Sequence, residues 1–89
     1  MNRAQTLETA HNLIHGDRAD TYGDAVSTHA RIGQMWSALL GVPVSAQQVA
    51  LCMASLKLVR ATCQPSHEDS YADGAGYIAI AAECAERAG

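Results

Sequence analysis

The chain has 89 residues and a formal net charge of −3 at pH 7. A length of this order fits one small domain, which buries only a modest share of its surface by itself. The acidic balance argues against a broad nucleic-acid surface, because such a surface carries a basic face. With no Phe and a single Trp, the core must rest on aliphatic side chains and alanines. We therefore expect an oligomer, since self-association adds apolar burial.

Cysteine usage and the absence of apolar signal segments point to one cell compartment. Cys52, Cys63 and Cys84 are odd in number and form no CxxC pair, which predicts reduced core cysteines rather than disulfides or a zinc site. The N-terminal sequence MNRAQTLETAHN lacks the apolar stretch of a signal peptide. No window approaches the roughly 20 apolar residues of a membrane span. We expect a cytoplasmic protein without a membrane partner.

The first predicted helix covers residues 4–15, where apolar residues recur at helical spacing, and Gly16 is expected to end it. A turn-rich linker with the sequence GDRADTYGD follows over residues 16–24. Loops of this polarity usually only connect two elements. This one also carries Arg18 and Tyr22, which is more chemistry than a connection needs.

The next two helices have clear sequence signals at their ends. The second is predicted over residues 25–40, with Asp24 as its N-cap and Gly41 after its last turn. The third begins with a capping box, in which Ser45 is the N-cap and Gln48 stands three residues later. Its expected core stripe consists of apolar residues at spacings of three and four: Val49, Cys52, Met53, Leu56, Val59 and Cys63.

The fourth helix is predicted from Ser66 to Arg87, after the break at Pro65. No segment has the alternating pattern of a strand. The sequence therefore predicts an all-α fold, with one helical domain over residues 1–89. We expect a compact bundle of about four helices.

Asp73 is the most informative residue of the fourth helix. Helical spacing places it on the same face as the core-like Tyr77, so its carboxylate points inward or toward a cleft. A buried carboxylate loses free energy unless a cation, a metal or a ligand pairs with it. Lys57 and Arg60 of the third helix are the cations best placed to do so. The pair is either a structural contact or part of a ligand site.

Two glycines, Gly74 and Gly76, interrupt the same helix, and each costs about 1 kcal/mol of helix propensity relative to Ala. Either another helix approaches closely there, or a flat ligand lies against the bare backbone. His11 and His15 have a spacing that can chelate a metal, but HxxxH alone is a weak signal. We predict no dedicated metal site.

Four spaced motifs together resemble a group of short all-helical bacteriophage proteins, similar to the phage nucleotide-modification-associated helical domains. The resemblance rests on GDR and YGD over residues 16–24, on Trp36-Ser37, on KLVR over residues 57–60 and on HEDSYADGAGY over residues 67–77. A more distant resemblance is to MazG-like nucleoside triphosphate pyrophosphohydrolases, which hold Mg²⁺ with EExxE on one helix and ExxD on the next. Glu68 or Asp69, followed by Asp73, looks like a distorted second half, and the chain has no EExxE.

The phage resemblance implies a nucleotide as the ligand, because phages use small helical oligomers as sponges for the cyclic nucleotides of bacterial immunity. We expect a protein that sequesters a (cyclic) nucleotide without catalysis, as an anti-defence sponge, in a pocket between subunits. The expected ligand-binding residues are cations for the phosphates, tyrosines for stacking on a base and carboxylates for ribose or amine groups: Arg18, Lys57, Arg60 and His67; Tyr22, Tyr71 and Tyr77; Asp69 and Asp73. No cofactor is expected.

Two alternatives stay open. The first is a reduced MazG-like pyrophosphohydrolase, in which Glu68, Asp69 and Asp73 bind Mg²⁺ with help from Glu8. The second is a protein-interaction module that blocks a host or phage protein. Neither alternative involves extended nucleic acid.

Overall fold

The computed structural model describes residues 1–16 and 23–88 of the chain. These residues contain no strand and form four helices. The helices are, in chain order, α1 (Arg3–His15), α2 (Ala25–Leu40), α3 (Ala46–Cys63) and α4 (Glu68–Ala88). The predicted all-α bundle of about four helices is confirmed.

The ends of α2 and the start of α3 lie where the local sequence signals placed them. The carboxylate of Asp24 accepts a hydrogen bond from the third backbone N–H of α2, and Gly41 ends the helix in the left-handed conformation with φ 73°. Ser45 and Gln48 form the predicted capping box, with N–O distances of 2.9 and 3.1 Å. Side-chain caps satisfy backbone groups that a helix end leaves free.

The start of α4 differs from the prediction. The helix begins at Glu68 rather than at Ser66. The backbone N–H of His67 donates to the carbonyl of Gln64 at 3.0 Å, which closes a separate turn over residues 64–67. Ser70 then donates to the carbonyl of His67 at 3.3 Å, and the two side chains approach within 3.2 Å. The turn over residues 64–67 therefore precedes the helix and is not part of it.

α4 lies at the centre of the bundle. It packs most extensively against α3, then against α1, and to a smaller extent against α2, while α2 packs mainly against α3. The core is built of small and medium side chains, with Ala50 from α3 meeting Ile80, Ala81 and Cys84 from α4. Val49 is the largest fully buried side chain. The expectation of a core poor in aromatic residues is confirmed.

α3 buries only part of the predicted stripe: Val49 is fully buried and Met53 is half-buried, but the rest of the stripe is exposed. Its buried residues are Val49, Ala50 and Ala54, whereas Leu56 and Val59 are 48 % and 62 % exposed. The reason lies in α4, because the face of α4 that packs against α3 consists mainly of glycine and alanine. Two helices with small residues in contact approach closely, so the alanine face of α3 fits there and the bulkier face stays outside.

The cysteine prediction is wrong for two of the three residues. Cys84 is buried in the core, as expected, whereas Cys52 and Cys63 are exposed on α3. Both lie on the face of α3 that carries the bulkier side chains, and this face is exposed.

Candidate functional site

Lys57 and Asp73 form an ion pair between α3 and α4. The Lys57 Nζ lies 3.1 Å from the Asp73 Oδ2, and the two side chains are 16 % and 25 % exposed. As expected from the sequence, the carboxylate on the inner face of α4 thus pairs with a cation of α3. Arg60 is exposed, and within residues 1–16 and 23–88 it makes no ion pair.

The two glycines of α4 lie where neighbouring helices approach. A Cβ added to Gly74 would stand 3.5 Å from the Lys57 Cβ, and one added to Gly76 would stand 3.2 Å from the Ile14 Cγ2. Gly74 therefore contacts α3, and Gly76 contacts α1. Of the two explanations that the sequence left open, close helix packing is the one observed.

An apolar cavity of about 300 Å³ opens among the four helices. Each helix contributes to its wall: Ile14 from α1, Trp36 from α2, Met53 from α3 and Tyr77 from α4 are examples. The volume lies at the lower end of the range of about 300–1,000 Å³ for small-molecule pockets. Apolar and aromatic walls of this kind suit a flat, weakly hydrated group.

His29 gives this cavity a polar feature. It lines the wall, is 7 % exposed, and has its Nδ1 2.8 Å from the carbonyl oxygen of Ala25. A carbonyl oxygen only accepts, so Nδ1 carries the hydrogen, and the neutral ring keeps Nε2 as an acceptor. The ring also meets Tyr77 edge to face, with centroids 6.0 Å apart. His29 is thus oriented by two contacts and retains one acceptor.

Three of the predicted site residues come together near this cavity. Tyr77 lines it, and Asp73 stands one helical turn earlier on the same face of α4. Both also border a narrow crevice beside Ile14. Because residues four apart on a helix have Cβ atoms about 5–6 Å apart, the Lys57–Asp73 pair lies about one turn from the cavity wall. Arg60 follows Lys57 on α3 by three residues.

The other predicted residues lie elsewhere. His67 and Asp69 are exposed at the start of α4. Tyr71 is 45 % exposed, donates its hydroxyl to the carbonyl of Pro65 at 2.8 Å, and borders a separate depression beside the first residues of α1. Arg18 and Tyr22 lie outside the described residues. The 300 Å³ cavity, whose wall is mainly apolar, therefore has only Tyr77 of the predicted residues that the structure describes among those that line it.

Sequence reasoning missed His29, Trp36 and Met53 as wall residues. All three lie at helical spacing among apolar residues of α2 and α3, and Trp36 and Met53 are only half-buried. A usable signal was the histidine within the apolar stripe of α2, since a buried polar residue is more informative than a buried apolar one.

The described residues contain neither a metal-binding cluster nor a membrane-spanning helix. Within the described ranges, no group of three His, Cys, Asp or Glu side chains lies close enough together to hold a metal ion. None of the four helices described here has the length and apolarity needed to cross a membrane.

Two curated bacteriophage proteins and one family model match this chain. The family model is described as a domain of unknown function, DUF6378, and matches residues 5–85. The Gene 55 protein of Mycobacterium phage L5 is 40 % identical over 75 residues, which is 83 % of this chain and 48 % of that protein. The Gene 55 protein of Mycobacterium phage D29 is 37 % identical over 81 residues, or 91 % and 51 % of the two. The chain thus spans about half the length of these relatives. No solved structure matches.

Proposed function

The chain belongs to the DUF6378 family, and we propose that it binds and retains a nucleotide-type small molecule without converting it. The observation that carries the proposal is the 300 Å³ cavity, whose wall includes Trp36, Tyr77 and an oriented His29. A nucleobase is flat and largely apolar on its faces, with N–H donors at its edge. Both properties match this wall, which offers aromatic faces and one imidazole acceptor.

The base occupies the cavity in this proposal. Stacking of a base on an aromatic side chain contributes about 1–3 kcal/mol, and Trp36 and Tyr77 are the aromatic side chains of the wall. The Nε2 of His29 accepts from an exocyclic amine or ring N–H of the base. An apolar cavity with few polar groups also excludes water from these contacts, which strengthens them.

The sugar and phosphates extend toward the Lys57–Asp73 pair. The Lys57 ammonium has three donors, and its contact with Asp73 leaves donors for a phosphate oxygen. Asp73 is placed to accept from a ribose hydroxyl. Arg60, one turn further along α3, has an exposed guanidinium whose planar geometry suits phosphate. Arg18 and Tyr22 stay predictions from the sequence.

Sequestration of a signalling nucleotide is the biological role that we propose. The curated relatives are bacteriophage proteins, and a phage benefits from lowering the free concentration of a nucleotide that activates host defence. Binding without conversion suffices for this role and needs no catalytic group. The protein would act in the cytoplasm of the infected host, as an anti-defence sponge for a (cyclic) nucleotide.

The test measures binding of mono-, di- and cyclic nucleotides by isothermal titration calorimetry. Trp36→Ala removes a stacking surface and should weaken binding by about 5- to 150-fold, as expected for loss of about 1–3 kcal/mol. Met35→Ala is the matched control, because Met35 is adjacent in sequence, 63 % exposed and not part of the cavity wall. If no nucleotide of the panel binds, or if both variants lose affinity equally, the proposal is wrong.

A second variant tests the phosphate end of the site. Arg60→Ala should weaken nucleotide binding while the melting temperature stays within a few degrees, because its side chain is exposed and, among the described residues, unpaired. The affinity for the corresponding nucleoside should not change. Equal affinity of Arg60→Ala and the wild type for the nucleotide would remove Arg60 from the site.

The pyrophosphohydrolase alternative is tested with the same samples. Mass spectrometry after incubation with Mg²⁺ should recover the nucleotide intact. Magnesium-dependent release of pyrophosphate would instead establish the MazG-like activity, with Glu68, Asp69 and Asp73 as the candidate ligands. In the structure Asp73 already pairs with Lys57, and this contact favours binding over metal-dependent hydrolysis.

A further inference from the structure

α3 carries an exposed apolar stripe that none of the helices within residues 1–16 and 23–88 covers. We define the outer stripe as Cys52, Leu56, Val59 and Cys63, which are spaced four, three and four residues apart. Leu56 and Val59 are 48 % and 62 % exposed, and both cysteines are exposed. Alternating spacings of four and three residues are typical of a seam along which one helix packs against another.

The exposed area of the chain is larger than its mass predicts. The accessible surface is 6105 Å² for 9.4 kDa, whereas the relation for compact monomers gives about 5,000 Å². The excess is roughly 1,100 Å², compared with about 800 Å² that each partner buries in a standard interface. The surplus surface is thus of the size that one partner buries in a standard dimer interface.

The spacing of the outer stripe suits a second copy of the same helix. The order four, three, four reads the same in both directions. When two such helices run antiparallel, Cys52 stands opposite Cys63 of the second copy, and Leu56 stands opposite Val59 of the second copy. Every apolar residue of the stripe then meets another one. A two-fold axis generates this arrangement, since the same patch is used by both subunits.

Charge distinguishes the antiparallel from the parallel arrangement. α3 contains Lys57 and Arg60 and no acidic residue, and Lys57 is neutralised by Asp73. A parallel pair in register sets the two Arg60 side chains at the same height. An antiparallel pair separates them by five residues, about 7.5 Å along the axis, which weakens their repulsion. We propose that a second copy of this chain packs antiparallel on the outer stripe.

Thiol cross-linking tests both the surface and the orientation. Mild oxidation, or a short bismaleimide, should cross-link the wild-type protein through Cys52 and Cys63 of different subunits. Cys52→Ser and Cys63→Ser should each abolish the cross-link, because identical cysteines then lie about 16 Å apart along the axis, beyond disulfide reach. A mixture of the two variants, allowed to exchange subunits, should restore it. Buried Cys84 is 3 % exposed and should not react.

Other cross-linking results would overturn the proposal. If each single variant cross-links to itself, the helices run parallel. If the wild type does not cross-link at all with either reagent, the cysteines of two copies do not face each other.

Sedimentation velocity provides a second, independent measurement. Leu56→Glu places a charge in the proposed interface and should raise the dissociation constant at least about a hundredfold. Leu58→Glu is the matched control, because Leu58 is 58 % exposed and lies about 130° around α3 from the stripe. It should leave the dissociation constant within about threefold of the wild type. Circular dichroism checks that both variants keep their helices.

Three outcomes of the sedimentation experiment would refute the inference. In the first, the wild type is monomeric. In the second, Leu56→Glu and Leu58→Glu weaken the dimer equally. In the third, a different protein binds the outer stripe while the wild type alone stays monomeric. Failure here leaves the nucleotide proposal standing, because the cavity of one chain is built from its own four helices.

Discussion

Gly33→Ala should destabilise the protein even though Ala is the better helix former. Gly33 is buried in α2, and a Cβ there would stand 2.7 Å from the carbonyl oxygen of Val44. Real Cβ atoms essentially never approach an oxygen so closely, so the backbone segment before α3 must move. That backbone is held, because the Val44 N–H donates to the Ser37 hydroxyl at 2.8 Å and the same hydroxyl donates to the Gly33 carbonyl at 2.7 Å.

The magnitude follows from three terms. Ala gains about 1 kcal/mol of helix propensity over Gly. Overpacking of a tight contact costs about 1–3 kcal/mol, and weakening the Ser37 hydrogen bonds costs about 1 kcal/mol. We therefore expect a net loss of about 1–3 kcal/mol. In a domain of this size each kcal/mol lowers the melting temperature by about 4–8 °C.

Gly74→Ala is the matched control for this prediction. Its Cβ would stand 3.5 Å from the Lys57 Cβ, which is an ordinary van der Waals contact. The propensity gain of up to about 1 kcal/mol should therefore survive and raise the melting temperature by a few degrees.

Urea unfolding and thermal scans of the two variants measure these differences directly. If Gly33→Ala were as stable as the wild type or more stable, the segment before α3 would not pack against α2 as described. If Gly74→Ala lost more than about 1 kcal/mol, the distance between α3 and α4 would be shorter than described.

Three other predictions concern charges and thiols. The hydrogen bond from Arg87, followed by that from Ser27, lowers the pKa of the Asp24 carboxyl from its ordinary value of 3.8. The ionised carboxylate therefore stabilises the folded protein above that pH, and this stabilisation is lost as the pH falls below it. Asp24→Asn should be less stable than the wild type at neutral pH and equally stable in strong acid. A double-mutant cycle on Lys57 and Asp73, measured by urea unfolding, should give a coupling free energy of about 1 kcal/mol, a value between those of exposed and of buried ion pairs. A coupling of zero would show that the ion pair does not stabilise the folded protein. Burial raises the pKa of the Cys84 thiol, so alkylation followed by mass spectrometry should find it at least about tenfold slower than the two exposed thiols, and equal rates would contradict its burial.

Much of the secondary structure could be predicted because its determinants are local. Asp24 as N-cap, Gly41 in the left-handed conformation and the Ser45–Gln48 capping box each act within a few residues. Helical periodicity then fixed the number of helices. The start of α4 was predicted two residues too early, since the turn closed by His67 was not recognised as separate.

The candidate site was only partly predictable. The pairing of Asp73 with a cation of α3 followed from helical spacing and from the free-energy cost of a buried carboxylate. The choice of Lys57 over Arg60 did not, because both stand on α3 within one turn and only the position of α4 selects between them. The cavity beside His29 and Trp36 was not foreseen, since it is a space between helices that are distant in sequence.

Local sequence signals are enough to predict where the helices form, how they are capped and why an inward carboxylate needs a cation. Which face of α3 is covered depends instead on how the helices pack. Periodicity favoured the bulkier stripe with Leu56 and Val59, yet α4 packs on Ala50 and Ala54 instead. Apolar periodicity indicates that a face of a helix can be buried. The surface of the neighbouring helix decides which face is buried in the folded protein. Here Gly74 lets α3 and α4 approach closely enough for alanines to fill the contact.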